Sequence, residues 1–311
     1  MKYGLLLAMA ASLAFGNDAY FGTDGGNIFP QKSAHVRMLK EEISIDLDKG
    51  GGLVTCTFWF LNSGKSDTMT VGFPDEKITP ASMTEPARDF KAWVNGVEAK
   101  VRRDSILEDN GPLDTLKDSW FHWRAYFPSG DTTIIRNRYF GLWGGSYCEK
   151  SFGYIIGTGN SWSGPIGEGR IVFHFGKVFS SLFAGKSVWM DSGDLAPEYF
   201  EDSAVFSFRE YMPKDHERLH VWFSSYWGNM DSTSCPGFYI PIDSLKQKDE
   251  MINELFARHG HIFKSARLKR KYTRKSWYAP KREMKLGDLP KTVQNYILNL
   301  RSGKDKLLGH R

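Results

Sequence analysis

Glu42-Ile43-Ser44-Ile45-Asp46-Leu47 alternates polar and apolar side chains with a period of two, the pattern of a strand with one wet and one dry face. Beyond the glycine-rich turn at residues 48–52, the apolar run Leu53-Val54-Thr55-Cys56-Thr57-Phe58-Trp59-Phe60 is the expected hairpin partner. The same grammar recurs downstream. Phe90–Val94 and Val97–Val101 flank Asn95-Gly96, a dipeptide that favours a type I′ turn because both central residues need φ > 0. Further strands are predicted at Phe121–Phe127, Thr132–Tyr139, Phe152–Ile156, Arg170–Phe175, Ala204–Tyr211 and Leu219–Phe223. Many short strands separated by turn signals imply an antiparallel β-sandwich over residues 17–242.

The pattern changes at residue 243. Asp243 or Ser244 can cap a helix whose apolar positions Met251, Ile252, Leu255 and Phe256 recur at helical spacing. Gly260 follows its last turn, where a left-handed residue closes a helix. A second helix is predicted over Ser265–Lys275 and a third over Leu289–Leu300, with Asp288 as N-cap and Pro290 at the first helical position. The fold class is therefore α+β: an N-terminal antiparallel β-sandwich followed by a small three-helix domain at residues 243–311.

Charge divides the chain at the same place. Residues 17–242 hold 22 Lys/Arg against 29 Asp/Glu, a net −7, whereas residues 243–311 hold 18 against 7, a net +11. Such a split implies two units with different partners, or units that attract each other. Six of the nine residues Arg267–Lys275 are cationic, and Trp277 and Tyr278 follow closely. Lys269, Arg270, Lys271, Arg274, Lys275, Trp277 and Tyr278 are thus candidate binding residues for an anionic polymer, an anionic lipid surface or an acidic protein partner. The bland alternative is a solvated helix face with both aromatics packed inside.

The first residues indicate where such a partner is met. Lys2, the apolar run Leu5–Leu13 and the small-residue site Ala14-Phe15-Gly16 have the layout of a secretory signal peptide. The run falls short of the roughly 20 residues that span a bilayer, and no later stretch is long and uncharged enough. The chain is expected to lose residues 1–16, to start near Asn17, and to work in the periplasm or outside the cell, neither embedded in a membrane nor bound to nucleic acid. That compartment permits disulfides. Cys148 and Cys235 lie in Gly/Ser-rich loops and are expected to pair, leaving Cys56, inside an apolar run, as a buried thiol.

Residues 243–311 closely resemble the YARHG domain, an extracellular bacterial module named after its motif. The motif reads Phe256-Ala257-Arg258-His259-Gly260, with Phe in place of the usual Tyr, preceded by Asn253-Glu254-Leu255. His261-Ile262-Phe263-Lys264-Ser265 and Lys275-Ser276-Trp277-Tyr278-Ala279-Pro280 follow in the expected order. Residues 17–242 resemble an uncharacterised family of secreted bacterial β-proteins, through Leu61-Asn62-Ser63-Gly64 before Val71-Gly72-Phe73-Pro74, then Phe127-Pro128-Ser129-Gly130-Asp131-Thr132, and then Tyr154-Ile155-Ile156-Gly157-Thr158-Gly159 with Trp162 and Gly164. The resemblance implies a β-sandwich scaffold at the cell envelope and no known reaction or cofactor. Arg258 and His259 join the binding candidates, although a histidine beside a helix end followed by glycine also serves as a cap.

One motif points to chemistry. His216-Glu217-Arg218-Leu219-His220 is a literal H-E-x-x-H, which on a helix puts two imidazoles on one face of a zinc ion with the Glu as base. Glu254 is available downstream as a third ligand. However, Pro213 precedes the motif and Val221-Trp222-Phe223 follows it, so the region reads as a turn entering a strand. Residues four apart on a strand are about 13 Å apart and cannot share one ion. Gly159-Asn160-Ser161-Trp162-Ser163-Gly164 resembles a nucleophile elbow only loosely, because Ser163 displaces the second glycine. The expectation is a non-enzymatic envelope protein, with a zinc metallopeptidase built on His216, His220 and Glu254 as the alternative.

Overall fold

The computed structural model describes residues 14–16, 19–24, 27–30, 33–48, 50–75, 87–108, 115–144, 149–176, 178, 188–190, 195–214, 217–224 and 245–302. These form three sheets. The largest runs β15 (Glu198–Phe200), β16 (Ser203–Tyr211), β13 (Ile166–His174), β4 (Val36–Leu47), β5 (Gly51–Asn62), β11 (Thr132–Leu142), β7 (Arg88–Val94) and β8 (Val97–Glu98). A five-stranded sheet runs β3 (Asn27–Pro30), β2 (Ala19–Asp24), β6 (Asp67–Pro74), β10 (Thr115–Phe127) and β9 (Arg102–Glu108). A four-stranded sheet runs β1 (Ala14–Gly16), β12 (Glu149–Ile155), β17 (Arg218–Ser224) and β14 (Val188–Met190).

The alternation that defined the first hairpin sets the layering. On β5, Val54, Cys56, Phe58 and Phe60 are buried while Thr55 is exposed and Thr57 and Trp59 are half-buried, so even positions face inward. From that face the Cys56 sulfur lies 3.7 Å from the Tyr154 hydroxyl on β12, and Phe60 meets Phe127 of β10 edge-on at 6.0 Å. Both smaller sheets therefore cover the same face of the large one, as in a sandwich. The other face stays wet, with the Lys40 ammonium over the Trp59 ring at 5.1 Å.

The three segments that carry the β-family resemblance meet at one corner. Asn62 donates through Nδ2 to the carbonyls of Lys65 and Phe127, and its backbone carbonyl accepts from Gly130 N–H. Trp162, fully buried, packs its ring 4.4 Å from Phe60 and 5.9 Å from Phe127. Burying one such aromatic stabilises by about 1.5–3 kcal/mol, which explains why this loop is held so tightly. Gly157–Ser161 is a 3₁₀ turn with Ser161 Oγ donating to the Thr158 carbonyl, so the loosely elbow-like sequence is a packed turn.

The Asn95-Gly96 turn is as expected, with φ of 48° and 84°. Other details differ from the sequence reading. The sandwich is not wholly antiparallel: β13 runs parallel to β4, and β1 parallel to β12. Hydrophobic alternation is the same in both directions, so pattern alone could not separate them. The strands β2, β3, β6, β9, β14 and β15 were not foreseen. Ala14–Gly16, read as the end of a signal peptide, forms the edge strand β1. Cys148, Cys235 and His216 lie outside the described residues; Cys56 is a buried thiol.

Three α-helices follow: α1 (Leu245–Arg258), α2 (Ala266–Thr273) and α3 (Lys291–Ser302). None is long and apolar enough to cross a membrane. The expected N-cap of α3 is displaced. Asp288 instead closes a 3₁₀ turn, its carboxylate accepting from Lys285 N–H and Arg282, and the Pro290 carbonyl accepts from Gln294 N–H at the start of the helix. Met251, Leu255, Val293, Ile297 and Leu300 are buried in a core continuous with that of the sheets. The helical part thus rests on the strand-built body.

Candidate functional site: a cationic cleft

The helix α1 ends in a device built from the motif residues. Ala257 is buried in a small core, and Phe256 packs edge-on against the His261 ring at 5.3 Å. His259 donates through Nδ1 to the Leu255 carbonyl at 2.7 Å, capping an acceptor that the helix end leaves open. Gly260 has φ of 94°, and a Cβ there would sit 2.8 Å from the Ala279 carbonyl oxygen, so glycine is required twice over. Its own carbonyl accepts from Lys281 N–H.

Arg258 is the busiest of the five. Its side chain, 7% exposed, pairs with Glu254 at 2.8 Å, donates to the Gly176 carbonyl on the strand-built body at 3.3 Å, and lies over the Trp277 ring at 4.1 Å. A buried guanidinium needs such partners. Trp277 and Tyr278 belong to a second small core with Ala257, Phe263 and Tyr272, and the Tyr278 hydroxyl donates to the His261 carbonyl. Burial, with nearby Glu254 adding to it, pushes the Tyr272 phenol far above its usual range. Arg258, His259, Trp277 and Tyr278 therefore lie among internal contacts, not on an open surface.

The remaining candidates are arranged differently. Tyr272 stacks on Phe263 at 5.0 Å and anchors the inner face of α2. Arg267, Arg270, Lys271 and Arg274 are spaced i, i+3, i+4 and i+7, so they form one stripe on the outer face. They line an open cleft of about 780 Å³. None of the four has a carboxylate partner among the described residues. Lys269 falls on the opposite side of the helix, away from the stripe, so the structure separates it from Arg270 and Lys271.

The cleft is completed from elsewhere. Glu250 comes from α1, and Glu201 from the turn between β15 and β16. Lys275, its side chain 15% exposed, bridges to Asp202 at 2.7 Å and Glu201 at 3.0 Å. Burial works against that charge, but the hydrogen bonds to Asp202 and Glu201 outweigh it and raise the lysine pKa above its usual value. Lys275 thus ties the helical part to the acidic body, while the stripe beside it remains cationic. Arg267 is the site residue the sequence reading did not select; only its helical register with Arg270 and Arg274 could have signalled it. Glu201 could not have been found, since it is 66 residues from Arg267 in sequence.

Among the described residues the H-E-x-x-H region shows no such convergence. Leu219 and His220 lie on β17, where His220 pairs with Gly153 and Trp189. Glu217 is buried, one oxygen accepting from the Tyr211 hydroxyl at 2.7 Å and from Lys214 N–H at 3.1 Å. Glu254 is held by Arg258. Among the described residues no three His, Cys, Asp or Glu side chains are grouped as a metal cage would require.

Fold and site together define an α+β protein: a layered β-body carrying a small helical module with a cationic cleft. Residues 243–302 match the model of the YARHG domain, and the helical module is a YARHG domain. A candidate nutrient-binding protein from Legionella pneumophila has a similar structure, with a TM-score of 0.54 and 17% identity over 94% of this chain and 99% of that one. At that identity the likeness speaks to fold alone. A zinc metallopeptidase from Deinococcus radiodurans superposes with a TM-score of only 0.31, at 10% identity over 74% of this chain and 54% of that one, too slight a likeness to bear on function. No curated protein sequence matches the chain.

Proposed function

We propose that the chain is an exported, non-enzymatic binding protein of the bacterial cell envelope, whose YARHG domain holds an anionic envelope component in the cleft beside α2. The observation that carries this is the stripe Arg267, Arg270, Lys271 and Arg274, four cations without carboxylate partners among the described residues, lining one concavity. A merely solubilising helix face has no need of a cleft. Like charges at i, i+3 and i+4 destabilise a helix, and a bound anion offsets that repulsion. The signal-peptide layout at residues 1–16 supports export. The nutrient-binding description of the Legionella protein agrees with a binding role.

The test is retention of the purified full-length protein on isolated cell wall and on anionic material. Retention should fall steeply with salt and vanish when Arg270 and Arg274 are both changed to Ala. Salt-insensitive retention, or none, sinks the reading. The peptidase alternative has no specific observation in its favour, because Glu217 and Glu254 are both engaged in structural bonds.

A further inference from the structure

We infer that the ligand of the cationic cleft is an acidic glycan, a sugar polymer whose negative groups are spaced along the chain, rather than a bilayer surface or a dense polyphosphate. This rests on the binding reading above and narrows it. Three features of the site point the same way.

The first is shape. The stripe lines a concavity whose wall also holds Glu201 and Glu250. A bilayer is flat on this scale and brings its anionic headgroups against the two carboxylates as well as the cations. A single polymer strand can lie within it. The second is spacing. With a rise of about 1.5 Å per residue, the cations from Arg267 to Arg274 extend over about 10 Å, which matches several successive anionic groups rather than one.

The third is the company the cations keep. Glu250 lies in the cleft with no ion-pair partner among the described residues. Its carboxylate accepts hydrogen bonds from hydroxyl groups, which sugars carry in number and a polyphosphate lacks. Glu201 is preceded by Tyr199 and Phe200, exposed by 38% and 47%. They lie two and one residues before it on the edge strand β15. Aromatic faces of this kind stack against the C–H faces of sugar rings and offer nothing to a polyphosphate.

The experiment measures binding of the full-length protein by calorimetry to four probes: heparin as a sulfated glycan, dextran as an uncharged one, inorganic polyphosphate, and phosphatidylglycerol vesicles. Heparin should bind in a salt-dependent manner, and dextran should not. The R270A/R274A double variant should weaken heparin about tenfold or more, given roughly 1 kcal/mol per cation facing an anionic surface. Phe200→Ala should weaken heparin about threefold or more and leave polyphosphate unchanged; circular dichroism confirms that each variant is folded. Equal loss of both ligands in Phe200→Ala overturns the glycan assignment. Tight binding to vesicles or polyphosphate through the same arginines, without heparin binding, also overturns it while the general anion-binding reading stands. If no anionic probe binds, both fall together.

Discussion

Replacing Arg258 by Ala tests whether the motif arginine is structural. The side chains of Arg258 and Glu254 are 7% and 4% exposed, so truncation leaves the Glu254 carboxylate buried without its partner. Removing one member of a buried pair destabilises by about 3–5 kcal/mol, against about 0–1 kcal/mol for an exposed pair. Loss of the stacking on Trp277 and of the bond to Gly176 acts in the same direction. The figures overlap and should not be summed. Urea unfolding, followed by tryptophan fluorescence and by circular dichroism in parallel, gives the stability of wild type, R258A, E254A and the double variant. The double variant should be destabilised by clearly less than the two singles combined, a coupling above about 1.5 kcal/mol. A loss below about 1 kcal/mol in R258A, or additive singles, refutes the claim that this pair is buried and mutually dependent.

Other consequences follow from the same geometry. Gly260→Ala forces a Cβ into left-handed backbone against the Ala279 carbonyl and should lower stability by about 1–3 kcal/mol; an unchanged melting temperature contradicts it. His261 accepts Met284 N–H through Nδ1, and burial lowers its pKa despite the opposing charge of Glu283. The unfolded chain therefore binds this proton first, so the contribution of His261 is present above about pH 6.5 and is lost as pH falls toward the lower folded value. Wild type should lose stability relative to His261→Asn between pH 7 and pH 5, and parallel curves would show that the histidine is not coupled to folding. If Cys148 and Cys235 pair, the denatured, unreduced protein should react with one equivalent of thiol reagent, from Cys56; three equivalents would exclude the bridge.

Much of the fold was legible because alternation and turn chemistry are local. The first hairpin, the Asn95-Gly96 turn and the three helices stand where period and punctuation put them. Strand direction was not legible: β13 reads identically whether β4 runs beside it parallel or antiparallel, and long-range pairing decides which. Asp288 misled because an acidic residue before Leu289-Pro290 satisfies the rules for a cap, yet the donors that reached it were Lys285 N–H and Arg282. At the site, composition revealed the basic segment but not its sides. Lys269 and Arg270 are neighbours in sequence, yet the roughly 100° step of the helix turns Lys269 away from the stripe, while Glu201 reaches the cleft only through the folding of β15 and β16.

The motif that identifies the domain and the residues proposed to bind are different sets, and the physics explains why. Phe256, Ala257, Arg258, His259 and Gly260 each meet a demand of the helix end: ring packing, close approach, a buried ion pair, a carbonyl cap and a left-handed turn. Those demands are geometric and leave little freedom in side chain. The outer face of α2 meets none of them. Its register is fixed by Tyr272 stacking on Phe263 from the inside, so its outward positions can carry any charge the ligand requires without disturbing the turn that holds them. Specificity in this chain is therefore sought on the stripe from Arg267 to Arg274 and on the Glu201 and Glu250 that share its cleft, not in the five residues by which the domain is recognised.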